Sequence, residues 1–341
     1  MKRIGFACKW IDGPSQIDGI KQTDTARQYN TGSTTVAWLN RQTREVAEQK
    51  LWDLMEGNIE AVRKLVEKVG EQDEHLRMVR LGSDILPVYT HDDFKHFWAL
   101  PDVQRYCEKQ FARVGELARS NSVRLSFHPG QFTVLASINP GIVNRSIEEF
   151  EYHADMARWM GYGKSFQDFK INVHISGKLG PDGIRAAYKR LSVEARNCIT
   201  IENEENSWGL NDCLTITDIV PIVLDIHHHW IREGEYILPG DDRVKRVVDS
   251  WRGVRPTCHY SVSREDVLVG HTPFTAPNHS ALLLEGYKKQ KLRAHSNFYW
   301  NKPVNEWALS FLETHDIMCE SKAKNLASFA LAEQAKALTL L

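Results

Sequence analysis

The stretch that decides the fold is "KINVHISGKLGPDGIRAAYKRLSVEARNCITIEN", residues 170–203. It opens with a β-like run, "KINVHIS" (170–176), and passes through "PDGIRAAYKRLSVEA" (181–195), where apolar residues recur at helical spacing. It closes on a second β-like run, "CITIEN" (198–203). Strand, helix and strand in so short a space form the repeating unit of a parallel sheet. Each run also carries a potential metal ligand near its end, His174 in the first and Glu202 in the second.

The same alternation continues in both directions. Further runs are "RIGFAC" (3–8), "LRMVRLG" (76–82), "VRLSFH" (123–128), "PIVLDI" (221–226), "RPTCHYS" (255–261) and "HDIMCES" (315–321). Helical patterns separate them at 44–70, 103–120, 147–161, 241–251 and 303–313. Eight strands alternating with helices in 341 residues, without a low-complexity linker, predict an α/β fold. The architecture expected is a (β/α)8 TIM barrel, as a single domain over 1–341. A doubly wound open sheet is the alternative. Segments 20–43 and 262–300, rich in Thr, Asn, Ser and Pro, read as long loops.

Composition narrows the function. Lys plus Arg number 43 against 44 Asp plus Glu, which excludes a uniformly basic coat for nucleic acid but leaves room for a local basic groove. Six widely spaced cysteines without a C-x-x-C pair read as reduced thiols in the core. No apolar run of signal-peptide type opens the chain and none approaches about 18 residues. A soluble, cytoplasmic protein with no membrane partner is expected.

In a barrel of this kind chemistry is done at the C-terminal mouth, so the residues closing each strand are the informative ones. Here they are His128, His174, Glu202, Asp225, His259 and Glu320, with His91 in the loop after the second strand. A lone histidine is usually a surface or hydrogen-bonded residue, whereas an unpaired carboxylate behind an apolar run is costly to bury. Six successive strands ending this way predict a shared metal centre. Imidazole nitrogen and carboxylate oxygen without thiolate suit manganese, zinc or iron(II). The ligands are numerous enough for two or three ions, and paired ions of that kind serve in-line displacement at phosphorus.

These strand ends carry a resemblance. "SFHPGQF" (126–132), "VHISG" (173–177), "IENEE" (201–205), "VLDIHHH" (223–229), "CHYS" (258–261), "RAHS" (293–296) and "MCESKAKNLA" (318–327) resemble, in order, the motifs of the UV damage endonucleases. The likeness implies a manganese-dependent barrel similar to endonuclease IV and to xylose isomerase-like enzymes. Such an enzyme cuts damaged duplex DNA immediately 5′ of ultraviolet photoproducts, leaving a 3′-hydroxyl and a 5′-phosphate. Matching motif by motif, the implied metal ligands are His91, His128, His174, Glu202, Asp225, His228, His259, His295 and Glu320. The metal this implies is Mn2+, as two or three ions, with Zn2+ or Mg2+ as the open alternatives. Catalytic roles fall to Glu202, His259 and Lys322, the last neutralising phosphate charge.

The resemblance further implies a lesion probe made by Gln131 and Phe132, aided by Phe6 and Trp10. An amide can bond an orphaned base edge, and an aromatic face can replace lost stacking. "GYKKQKLR" (286–293) is a candidate contact to the DNA backbone. A monomer, associated with the nucleoid in a prokaryotic cell, is expected. In the triplet 227–229, strand parity from Asp225 points to His227 or His229; a turn at Ile226 would return His228 instead, and the family motif places its ligand there.

The chain departs from the family in places. Thr257 stands where members carry a lysine whose carboxylated form bridges two metals, and a hydroxyl cannot make that bridge. Phe6 and Phe132 replace frequent tyrosines, and Trp10 lies near an expected asparagine. The stretch between His259 and His295 is longer than usual, and it holds His271 and His279, read as loop residues. An apurinic endonuclease, a metal-dependent sugar isomerase on the same barrel and a non-catalytic binder of damaged DNA remain open alternatives.

Overall fold

The computed structural model describes residues 1–17 and 23–341. Eight parallel strands close into one barrel in chain order. They are β1 (Ile4–Ala7), β2 (Met78–Arg80), β3 (Arg124–Phe127), β4 (Lys170–His174), β5 (Ile199–Glu202), β6 (Ile222–Asp225), β7 (Thr257–Tyr260) and β8 (Asp316–Cys319). Closure is made where Ile4 and Gly5 of β1 face Ile317 and Met318 of β8. Gly5 is needed beside β2, because a Cβ there would stand 2.6 Å from the Met78 carbonyl oxygen.

The outward strand positions explain the ring of helices. Ile171, Val173, Ile199, Ile201, Ile222 and Leu224 are all buried in one large core shared with the helices. The helix Arg44–Gly70 contributes Leu51, Met55, Ile59, Val62, Leu65, Val66 and Val69 to it, spaced three and four residues apart. The Thr43 side chain caps this helix by accepting from the Val46 amide. The helix expected over 181–195 is instead two, Gly180–Tyr188 and Val193–Cys198. Ser192 separates them: its hydroxyl accepts from the Ala195 amide and donates to Glu151, so a polar side chain starts a new helix.

The barrel interior is mixed, with an apolar cluster of Ala7, Met78 and Met318 and several polar side chains. Alternate residues of the strands place Lys170, Asn172, Thr200 and Thr257 inside, all buried. At the N-terminal end Asp316 receives hydrogen bonds from Arg124 (2.6 Å), Arg255 (2.7 Å) and the Arg3 amide (3.0 Å), tying four strands or their flanks together.

Two segments expected as loops contain structure. Residues 20–22 of the first lie outside the described residues, but the rest holds short helices at Asp24–Arg27 and Val36–Leu39. In the second, helices His279–Leu284 and Lys289–Leu292 bring Leu282 and Leu292, with Leu268, onto Trp230 and Ile231 in a small separate core. His279 is therefore buried, bonding the Ile231 carbonyl through Nε2 at 3.0 Å, and not a loop residue. Each helix there is about one to two turns, too short for helical periodicity to stand out.

Candidate metal centre

At the C-terminal mouth, His128, His174, Glu202, Asp225, His228, His259 and Glu320 converge. Three overlapping groups, His128/His174/Glu202, His128/His259/Glu320 and Glu202/Asp225/His228, each bring one donor atom per residue within 4.8 Å of the others. Glu202 stands at the middle. Its Oε2 lies 3.2 Å from His128 Nε2, 3.4 Å from His174 Nε2 and 3.2 Å from His259 Nδ1, while Oε1 lies 3.5 Å from His228 Nδ1.

The D-x-x-H spacing has a local cause. β6 runs straight into the helix Ile226–Glu233, and Asp225 is its N-cap, accepting from the His228 amide at 2.7 Å. The chain does turn at Ile226, and His228, on the first turn of the helix, comes back beside Asp225. Gly234 ends the helix with φ +77°, in the left-handed region. His227 and His229 are helix residues: His227 stacks on Trp230 (ring centroids 5.8 Å), and His229 bonds Glu235 at 2.7 Å.

The outward nitrogens of the imidazoles are held by the protein. His128, His228 and His295 direct Nδ1 at the carbonyl oxygens of Pro129 (3.1 Å), Asn203 (3.0 Å) and Glu320 (2.8 Å). A carbonyl only accepts, so His128 and His295 carry the proton on Nδ1 and keep the Nε2 lone pair, whereas His228 Nδ1 also faces Glu202 and Asp225. His174 has Glu204 Oε1 behind its Nδ1 at 3.5 Å. Asn172 donates a short hydrogen bond to Glu202 Oε2 and accepts from the Thr200 hydroxyl at 2.8 Å. Arg80, at the end of β2, donates a short hydrogen bond to Glu320.

Electrostatics separates the groups. Burial pushes His128 down to about 4. It would lower His174 too, but the Glu202 and Glu204 carboxylates hold that imidazole well above its ordinary value. Burial alone would raise Glu202, yet His259 and His174 keep its carboxyl well below the usual range. Burial holds Asp225 well above its usual value, against the pull of His228. Lys170, pushed down to about 7 by burial and then by the Arg80 charge, sits 3.2 Å from His259 Nε2.

The residues present fit a metal. Glu202 Oε1, Asp225 Oδ2 and His259 Nδ1 are buried polar atoms without a hydrogen-bond partner, all aimed into the same centre. Oxygen and imidazole donors in these numbers would satisfy one or more divalent cations.

Not every expected residue arrives. His295 lines the same cavity, of about 970 Å³, as His128 and Glu320. Gln131 lines it as well, and the neighbouring Phe132 is 86% exposed, an unusual position for a phenylalanine. His91, by contrast, has a side chain 41% exposed and contacts Asp93 and Phe94, not the cluster. Phe6 and Trp10 are buried in the outer core, packing edge-on against one another at 5.9 Å. Phe6 alternates with Gly5 and Ala7 and so faces the helices, which removes both aromatics from a surface DNA could touch. Lys322 lies in the turn after β8, its amide bonded to the Ser296 carbonyl, and does not line the cavity. β8 ends at Cys319, so Lys322 lies beyond the strand.

The closed parallel barrel with its histidine and carboxylate mouth defines a (β/α)8 protein equipped to hold divalent cations at the C-terminal ends of its strands. A family model described as UV-endonuclease UvdE matches residues 2–339. The chain belongs to that family, and it is an enzyme, a DNA-cleaving hydrolase of the endonuclease class. It is 26% identical over 348 residues to a UV-damage endonuclease of Schizosaccharomyces pombe, covering 97% of this chain and 50% of that protein. To a UV DNA damage endonuclease of Bacillus cereus (strain G9842) it is 25% identical over 320 residues, covering 89% and 88%. The chain thus spans half the length of the first relative and most of the second. In fold it is similar to the crystal structure of SacUVDE, with a TM-score of 0.71 at 20% identity over the whole of both chains. Endonuclease IV from Thermus thermophilus follows with a TM-score of 0.50 at 14% identity, over 80% of this chain and 95% of that one.

Proposed function

We propose that this protein nicks damaged duplex DNA immediately 5′ of ultraviolet photoproducts, leaving a 3′-hydroxyl and a 5′-phosphate, and that it requires manganese. The observation that carries this reading is the pairing of the ligand centre with Gln131, which lines the same cavity, and with the exposed Phe132 next to it in the chain. A damaged duplex has a use for an aromatic held in solvent, because extruding a weakly paired dinucleotide leaves an orphaned base edge and a stacking gap.

His128, His174, Glu202, Asp225, His228, His259, His295 and Glu320 would hold the ions. Bound there, the metal would supply Lewis acidity for activating water and for stabilising charge at phosphorus. The protein supplies orientation: Asn172 fixes the Glu202 carboxylate, and backbone carbonyls fix the imidazoles. Gln131 bonds the base left without a partner, and Phe132 fills the stacking gap. The exposed basic residues Lys291 and Arg293 on the cavity wall lie where a DNA backbone would pass.

Incision of two duplexes, one with a single cyclobutane dimer and one with a single abasic site, tests the reading. Cutting next to the dimer, with manganese found in the purified protein, is the expected result. Cutting of the abasic duplex alone would assign the chain to apurinic repair instead.

A further inference from the structure

The cavity holds a cation that the ligand set does not require. Arg80 closes β2, two residues after Met78, whose side chain packs with Ala7 and Met318 inside the barrel. By strand parity Arg80 points the same way, one layer higher, onto the cavity floor. Its side chain is 15% exposed and anchored by Glu320 Oε1. A guanidinium has five N–H donors in a planar fork, and the buried Nε of Arg80 has no hydrogen-bond partner. Two other cavity-lining residues among those described carry fixed positive charge, Lys291 and Arg293. Both are exposed at the wall, and Arg293 already donates to Glu205 Oε1 at 2.6 Å. Arg80 is thus the cation on the floor, beside His128 and Glu320, with donors to spare.

We propose that Arg80 is the phosphate-binding residue of this site, held by Glu320 so that its remaining donors receive the non-bridging oxygens of the substrate phosphodiester. This rests on the reading of a DNA substrate given above. Forked donors match a phosphate in a way that a lysine ammonium does not, so Arg80→Lys preserves charge beside Glu320 while removing the fork.

The test uses manganese-loaded protein with inorganic phosphate as the probe, and in parallel a duplex with one defined lesion. In Arg80→Lys the metal content stays at the wild-type level. Phosphate affinity falls about tenfold and kcat for nicking falls about 10²-fold, the loss typical of one preorganised donor. The Kd for the duplex changes by less than about threefold, because most duplex affinity comes from other backbone contacts. Added guanidinium ion partly restores the rate of Arg80→Ala. Unchanged phosphate affinity in both variants, or loss of metal from both, overturns the proposal and leaves Arg80 as a counter-ion of Glu320 alone. The phosphate measurement stands apart from the choice of lesion. If wild-type protein does not nick that duplex but Arg80→Lys loses phosphate, the substrate reading fails and the assignment of Arg80 stands.

Discussion

Glu202 is the residue on which the site depends, since four imidazoles face one fully buried carboxylate. Replacing it by Gln keeps the shape and removes the charge, so bound metal and incision are both expected to be lost; elemental analysis beside a nicking assay measures this. Asn172→Leu removes the donor that orients Glu202 and leaves every direct ligand in place. A loss of about 10- to 100-fold in metal affinity is expected, of the size seen for such supporting groups, and a metal titration reads it. Neither Asn172 nor Arg80 stands out in the sequence, although parity could have found both. Counting back in twos from His174 meets Asn172 and Lys170, and in a strand buried on both faces polar alternates must line the interior. That signal is present but needs the barrel to be assumed first.

At the scale of elements, the helix Pro140–Trp159 buries His153 completely, with Nδ1 on the Glu149 carbonyl at 2.7 Å and Nε2 unpaired. Burial pushes its pKa down to about 4. An unfolded chain would bind the proton near pH 6.5, so between about 6.5 and 4 the unfolded state holds more protons than the folded one. Stability from this group is therefore complete above about pH 6.5 and falls progressively as pH drops towards 4, by up to about 3 kcal/mol. His153→Leu should flatten that part of the profile, as read from urea midpoints at several pH values. The strands and the helix Arg44–Gly70 were legible because apolar spacing is sustained over their lengths. The short helices between 262 and 300 were not, since their identity as helices comes from docking on Trp230 and Ile231.

The whole molecule separates its mechanical and chemical ends. At the N-terminal end of the barrel Asp316 is shared by Arg3, Arg124 and Arg255. Asp316→Asn leaves three guanidinium groups without their buried counter-charge and should cost about 3 kcal/mol. A lowered Tm with kcat unchanged at low temperature is the outcome expected, because the metal centre lies at the opposite end. Stripping metal with a chelator should do the reverse. Incision is expected to stop while far-UV circular dichroism is retained, since backbone pairing of the strands and the outer core need no ion to hold them.

The sequence by itself determined the alternation of strand and helix, the barrel, and the chemistry at the strand ends, because hydrophobic period and residue type are local properties. For His228 it offered strand parity, which pointed to His227 or His229, and the family motif, which chose His228; the N-cap at Asp225 supplies the physical reason. Only the tertiary structure decided which residues meet: that Phe6 and Trp10 turn outward into the core, that His91 stands apart from the cluster, and that Arg80 reaches Glu320 from 240 positions away. Those outcomes depend on how strands are staggered around a closed barrel, and stagger is set by pairing between segments remote in the chain.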